Sequence, residues 1–175
     1  MLRGQSPPMA ASSCCHIGRD ARLSGLETVR DPDDVLVGYR ASDAFDPQHW
    51  LLVRNEDRDV GCLLLADHPQ HDTMEVLYLG QFPPREARRW GKQLVRRAPW
   101  LARLAGRQRP LLAVDAANRP ATETYMAVGF QTWQRRRLCV KERGSADHWH
   151  ASFQQVFHAG RPAGGANSAT APAPS

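Results

Sequence analysis

A chain of 175 residues with a 42% apolar share has room for one hydrophobic core of ordinary size and is crowded by two. Its net charge of +5, dominated by Arg, favours anionic partners without choosing among nucleic acid, acidic lipid and a phosphorylated cofactor. Four cysteines, Cys14, Cys15, Cys62 and Cys139, have neither CxxC spacing nor a His at zinc-finger distance, which argues against a disulfide framework and against structural zinc.

The opening MLRGQSPPMAASSCC contains no apolar h-region, and nowhere do about eighteen apolar residues run together. Neither a signal peptide nor a membrane span is expected, and the expected compartment is the cytoplasm. Residues 1–27 are rich in Ser, Ala, Gly and Pro, and residues 143–175 end in GRPAGGANSATAPAPS. Both lack apolar periodicity and are expected to be disordered around a domain spanning 28–142. Within the second stretch His148, His150 and His158 have no Cys or carboxylate support, so no metal site is expected.

Between these ends, Asp31-Pro32-Asp33-Asp34 offers an acidic cap with Pro in the first turn, predicting a short helix to about Ala44 that Gly38 weakens. Trp50 to Val53 reads as a strand, Asn55 to Asp59 as a hairpin turn, and Val60 to Leu65 as a partner strand buried on both faces. Met74 to Leu79 forms another strand, halted by Gly80-Gln81-Phe82-Pro83-Pro84. From Arg85 to Gly106 the period changes. Trp90, Leu94, Leu101 and Ala105 recur at helical spacing, Arg85, Arg88, Arg89, Lys92, Arg96 and Arg97 fill the other side, and Pro99 is expected to bend or shorten the helix. Leu111 to Val114 reads as a buried strand, Pro120 to Val128 as a helix stopped by Gly129, and Phe130 to Val140 as one or two final strands. This alternation predicts an α/β fold, a central mixed sheet with helices packed on it.

The strand ending Tyr78-Leu79-Gly80-Gln81-Phe82-Pro83, the basic helix start, and the spaced Asn118, Ala121, Tyr125, Gly129 and Phe130 together resemble the GNAT N-acetyltransferase superfamily. The resemblance spans about residues 50–140 and implies a GNAT-like acyl-CoA N-acyltransferase fold with incomplete N-terminal elements, since only one helix is readable before Trp50. It implies acetyl-CoA as donor, an amine of unspecified kind as acceptor, and no metal.

By that resemblance Tyr125 is the general acid that protonates the departing thiolate, a role suited to a phenol that is protonated at neutral pH. Glu75 is the candidate general base, although strict strand alternation puts it on one face with Leu77 and Leu79. The backbone of Gly80, Gln81 and Phe82 pairs with the pantetheine arm. Arg88, Arg89, Trp90, Gly91 and Lys92 surround the pyrophosphate at the helix N-terminus, where free N–H groups and the dipole favour anions. Asn118 caps the next helix and touches the cofactor, or serves as a cap alone.

The family's phosphate loop reads Arg or Gln, any two, Gly, any one, then Gly or Ala. Anchored on Gly91, this chain has Glu86 at the first position and Arg89 at the first glycine, so one of the three positions matches. A non-catalytic GNAT-like domain with weak or lost acyl-CoA binding is the alternative reading. Nucleic acid is not expected, because the Arg residues lack the interleaved aromatics and groove-reading motif of a dedicated binder, and Arg135-Arg136-Arg137 reads as a solvated strand edge.

Overall fold

The computed structural model describes residues 3–5, 32–81, 87–141 and 149–159. They form strand β1 (Arg3–Gln5), helix α1 (Pro32–Arg40), strands β2 (Trp50–Asn55), β3 (Arg58–His68) and β4 (Thr73–Gln81), helix α2 (Ala87–Leu104), strand β5 (Arg109–Asp115), helix α3 (Arg119–Val128), and strands β6 (Gln131–Lys141) and β7 (Trp149–His158). Short 3-10 turns at Pro47–His49 and Pro69–His71 lead into β2 and β4. The expected mixed α/β architecture is present as one seven-stranded sheet in the order β1-β2-β3-β4-β5-β7-β6. Every neighbouring pair is antiparallel except β4 and β5, which α2 connects as a crossover.

The apolar run of β3 is buried on both sides as its composition requires, with Cys62, Leu63, Leu64 and Leu65 all inaccessible to solvent. Leu63 and Leu65 join Met74, Val76, Leu112, Phe130 and Phe157 under Val95, Ala98 and Ala102 of α2. Cys62 and Leu64 face the other way, with Trp50, Leu52 and Tyr78 beneath Leu36 of α1. The helix α1 ends at Arg40, a turn before the expected Ala44. There the Ser42 hydroxyl accepts the Ala44 N–H at 3.2 Å, diverting the backbone from its helical partner. The longer α2 continues across Pro99 to Leu104.

The expected domain limits, 28 and 142, are too narrow. Arg3–Gln5 lies in the stretch expected to be disordered but pairs with Leu52 to Arg54 of β2. At the other end β7 lies wholly within 143–175 and occupies an interior place, with β5 on one side and β6 on the other. Trp149, Ala151, Phe153 and Phe157 carry the period-two signal of a strand, obscured by Gln154, Gln155 and the Ala, Gly and Pro residues that follow. Phe157 is fully buried and Val156 nearly so. Phe157→Ala should therefore cost about 3–5 kcal/mol, read as a lower urea midpoint, and truncation after Lys141 should abolish the cooperative transition. An unchanged midpoint in both would show that β7 is dispensable.

Candidate functional site

The site is a fork in the sheet. β4 and β5 pair over four rungs, Thr73 with Arg109, Met74 with Pro110, Glu75 with Leu111 and Val76 with Leu112. Beyond these β4 runs on to Gln81 and β5 to Asp115 without further pairing between them among the described residues. Each strand stays bonded on its outer side, β4 to β3 as far as Gln81 and β5 to β7 as far as Asp115. Their inner edges thus carry backbone N–H and C=O groups turned toward the gap, groups that demand a partner when water is excluded.

A bulge helps to open the fork. Leu64 pairs with Tyr78 and Leu65 with Val76, so Leu77 is the extra residue on β4. Because of it, Leu77 and Tyr78 both pack toward α1, and Leu79 returns to the side occupied by α2. The expectation that Glu75 shares a face with both Leu77 and Leu79 fails at this bulge, which reverses the alternation between them.

The closed end is clamped. Arg107 binds Asp67 through two bonds, Nε to Oδ1 at 2.6 Å and Nη2 to Oδ2 at 3.0 Å. Asp72, in the left-handed region at φ 53°, accepts the Gln108 N–H through Oδ1 at 3.0 Å and the Arg109 N–H through its carbonyl at 3.2 Å. These contacts tie the β3–β4 corner to the loop that enters β5.

At the last rung before the strands part, Val76, Leu112 and Phe157 stand side by side across β4, β5 and β7. Tyr125 of α3 packs on this cluster, its ring centroid 5.9 Å from Phe157 and 6.2 Å from Phe130. Burial pushes its phenol above the ordinary value. Glu75 lies one residue earlier, and alternation turns it to the opposite face of the sheet from Met74 and Val76. Its carboxylate is partly exposed and 3.3 Å from Nε2 of His68. The sequence-predicted acid and base therefore lie on opposite faces of the sheet, at the last paired rungs before the strands part.

The first turns of α2 adjoin the open end. Gly91 is buried so closely against Gln81 that a Cβ there would run into the Gln81 amide. Trp90 does not line a phosphate cup with its indole, which packs with Leu51, Val53, Val60 and Leu94 between α2 and the β2–β3 hairpin. Lys92 is exposed one turn on. Arg88 and Arg89 stand in the first turn, while Phe82 and Glu86 lie outside the described residues. Gly80 is buried on β4, and Asn118 caps α3, its Oδ1 accepting the Ala121 N–H at 3.3 Å.

No family model and no curated protein matches the sequence. Solved structures do match. A Bacillus subtilis acetyltransferase in complex with CoA superposes with a TM-score of 0.62 at 15% identity, over 92% of this chain and 99% of its own. A GNAT family acetyltransferase from Elizabethkingia anophelis with acetyl-CoA bound gives 0.60 at 11% identity, over 92% and 97%. The IAA acetyltransferase of Bacillus cereus gives 0.59 at 14% identity, over 90% and 98%.

The chain has the GNAT acetyltransferase fold.

Within that GNAT architecture the expected shortening of the front concerns the residues before Trp50, where β1 and α1 are described and residues 6–31 lie outside the described residues. The sequence reading missed the bulge at Leu77, because Met74-Glu75-Val76-Leu77-Tyr78-Leu79 contains no Gly or Pro to announce it. It also missed the clamp, whose partners Asp67 and Arg107 are 40 residues apart. No group of three or more His, Cys, Asp or Glu side chains comes together among the described residues, and no helix there is long and apolar enough to cross a membrane.

The Tyr125 shift has a signed consequence. Below about pH 10 the phenol is protonated both folded and unfolded; as pH rises further the unfolded chain ionises first and the folded state loses stability. Melting temperature measured upward from about pH 9 should fall more steeply in the wild type than in Tyr125→Phe. Parallel curves would mean the phenol is open to water.

Proposed function

We propose that this chain is a GNAT-type N-acetyltransferase that transfers an acetyl group from acetyl-CoA to a primary amine by direct attack. The observation that carries the reading is the β4–β5 fork with the partly buried Tyr125 phenol packed at its apex. An extended amide-bearing arm fits between the parted strands as an added strand would, bonding to the free inner backbone of β4 near Gly80 and Gln81. Its pyrophosphate then meets the first-turn N–H groups of α2, with Arg88, Arg89 and Lys92 adding charge and Asn118 bordering from α3.

The chemistry needs one proton removed and one supplied. The amine nitrogen attacks the thioester carbonyl carbon; a C–N bond forms, the C–S bond breaks, and nothing is oxidised or reduced. Glu75 takes the amine proton directly or through water. The Tyr125 phenol gives its proton to the leaving thiolate and regains one from solvent afterwards. The phenol is protonated at neutral pH at its ordinary pKa, which burial pushes further up, and partial exposure lets Glu75 pass its proton to water.

The departures at Glu86 and Arg89 favour a second reading, a GNAT-like domain that holds acyl-CoA weakly or not at all. Calorimetric titration with acetyl-CoA separates the two, because absence of binding at millimolar cofactor removes the enzyme reading. With binding established, Tyr125→Phe should lower kcat by about 100-fold or more at nearly unchanged acetyl-CoA affinity. Undiminished turnover on a panel of primary amines would remove the acid role from Tyr125.

A further inference from the structure

We propose that the solvent-facing stripe of α2 is a docking surface for single-stranded RNA, separate from the fork. Over its 18 residues α2 carries Arg88, Arg89, Lys92, Arg96, Arg97 and Arg103 and no acidic residue. Its apolar side, with Trp90, Leu94, Val95, Ala98 and Ala102, is consumed by the core. At about 3.6 residues per turn, Trp100 projects from the middle of the opposite side, with Arg96 and Arg103 along one flank and Arg97 along the other. The indole is 45% exposed, and the Arg97 guanidinium lies 4.2 Å from its ring centroid.

A solvated helix face commonly mixes signs and gains i,i+4 pairs. Here, among the described residues, no carboxylate pairs with Lys92, Arg96, Arg97 or Arg103. An uncompensated cationic stripe with an indole at its centre complements a ligand having both phosphates and π-faces. The same arrangement recurs on the β6–β7 ribbon. Arg135 sits 4.7 Å over the ring of Phe153, itself 45% exposed, beside exposed Arg136 and Arg137. Neither β6 nor β7 contains an acidic residue. The fold sets an aromatic ring beside a guanidinium in both places, while Arg135 to Arg137 lie on the solvated edge strand expected of them.

Other occupants fit less well. A bilayer requires an apolar face to insert, and that of α2 is buried, leaving Trp100 and Leu104 as its exposed large apolar residues. The acyl-CoA phosphates belong at the helix start, whereas Trp100 follows Ala87 by 13 positions, about 20 Å along the axis. Duplexes hide their bases from stacking. RNA is the polyanion whose loops and ends present unpaired bases.

Fluorescence anisotropy with a labelled single-stranded RNA oligonucleotide tests the proposal without any turnover, so a chain inert toward amines leaves the outcome readable. Saturable binding is expected, with a log–log salt slope of about −2 if Arg96, Arg97 and Arg103 contribute roughly 0.7 each. Trp100→Ala should weaken it about ten-fold or more, and the double variant Arg96→Glu with Arg103→Glu should weaken it and flatten the slope. Saturating coenzyme A should leave it unchanged. These positions lie outside the core, and circular dichroism checks that each variant is folded. Absence of saturable binding at low salt, equal affinity for duplex, displacement by coenzyme A, or full affinity in Trp100→Ala overturns the proposal. So does stronger association with phosphatidylserine vesicles than with RNA.

Discussion

The site exists because β4 and β5 stay apart beyond Val76 and Leu112, against the tendency of two strands with free edges to zip together. Three features hold them open. Each strand is bonded to a separate outer neighbour, so closing the gap would bend both outer pairs. Leu77 puts an extra residue into β4 at the point of departure, adding twist exactly where the register with β3 shifts. The closed end is fixed by the two-pronged Arg107–Asp67 contact and by Asp72. Close packing sets the position of α2 relative to the opening. A Cβ on Gly61 would come within 2.7 Å of the Leu94 side chain, and one on Gly91 would strike Gln81. Glycine at these two positions lets the helix lie directly on the β3–β4 pair.

This geometry separates Tyr125 and Glu75 by environment. Tyr125 belongs to the dry side, over Phe157 and Phe130, where the neutral phenol is favoured. Glu75 belongs to the other side of the sheet, partly open to water, with His68 as its neighbour. The proposed acid and base therefore stand in different surroundings, one packed among aromatic rings and one beside water.

Local chemistry made much of this legible in the sequence. The punctuation by Gly and Pro located most elements, the 3.6 period of α2 was plain, and Asn118 and Gly129 marked both ends of α3, as its Asn cap and its left-handed glycine at φ 100° bear out. What was not legible depends on pairing between distant segments. β7 is a strand because Phe157 completes the core that Leu112 and Phe130 begin, and its own Gln-rich stretch gives little hint of that. Arg3–Gln5 is a strand because β2 offers a free edge. The burial of Trp90 follows from the nearness of the β2–β3 hairpin, and nothing in the spacing of the basic helix distinguishes that from a place at the phosphate.

The helix α2 has three separate demands on its surface, and its sequence divides accordingly. The start adjoins the open end of the fork, and there the chain keeps Gly91 against Gln81 while departing from the GNAT loop pattern at Glu86 and Arg89. One side must fill the space above β3 and β4, which Leu94, Val95, Ala98 and Ala102 do with little exposed surface. Neither demand calls for cations on the remaining side or for an indole there, and a mixture of Glu and Lys would stabilise the exposed face better through i,i+4 pairs. The cost of self-repulsion among Arg96, Arg97 and Arg103 is thus unrelated to folding, and these residues lie nine or more positions beyond the start of the helix. An external polyanion is the arrangement under which those charges become favourable.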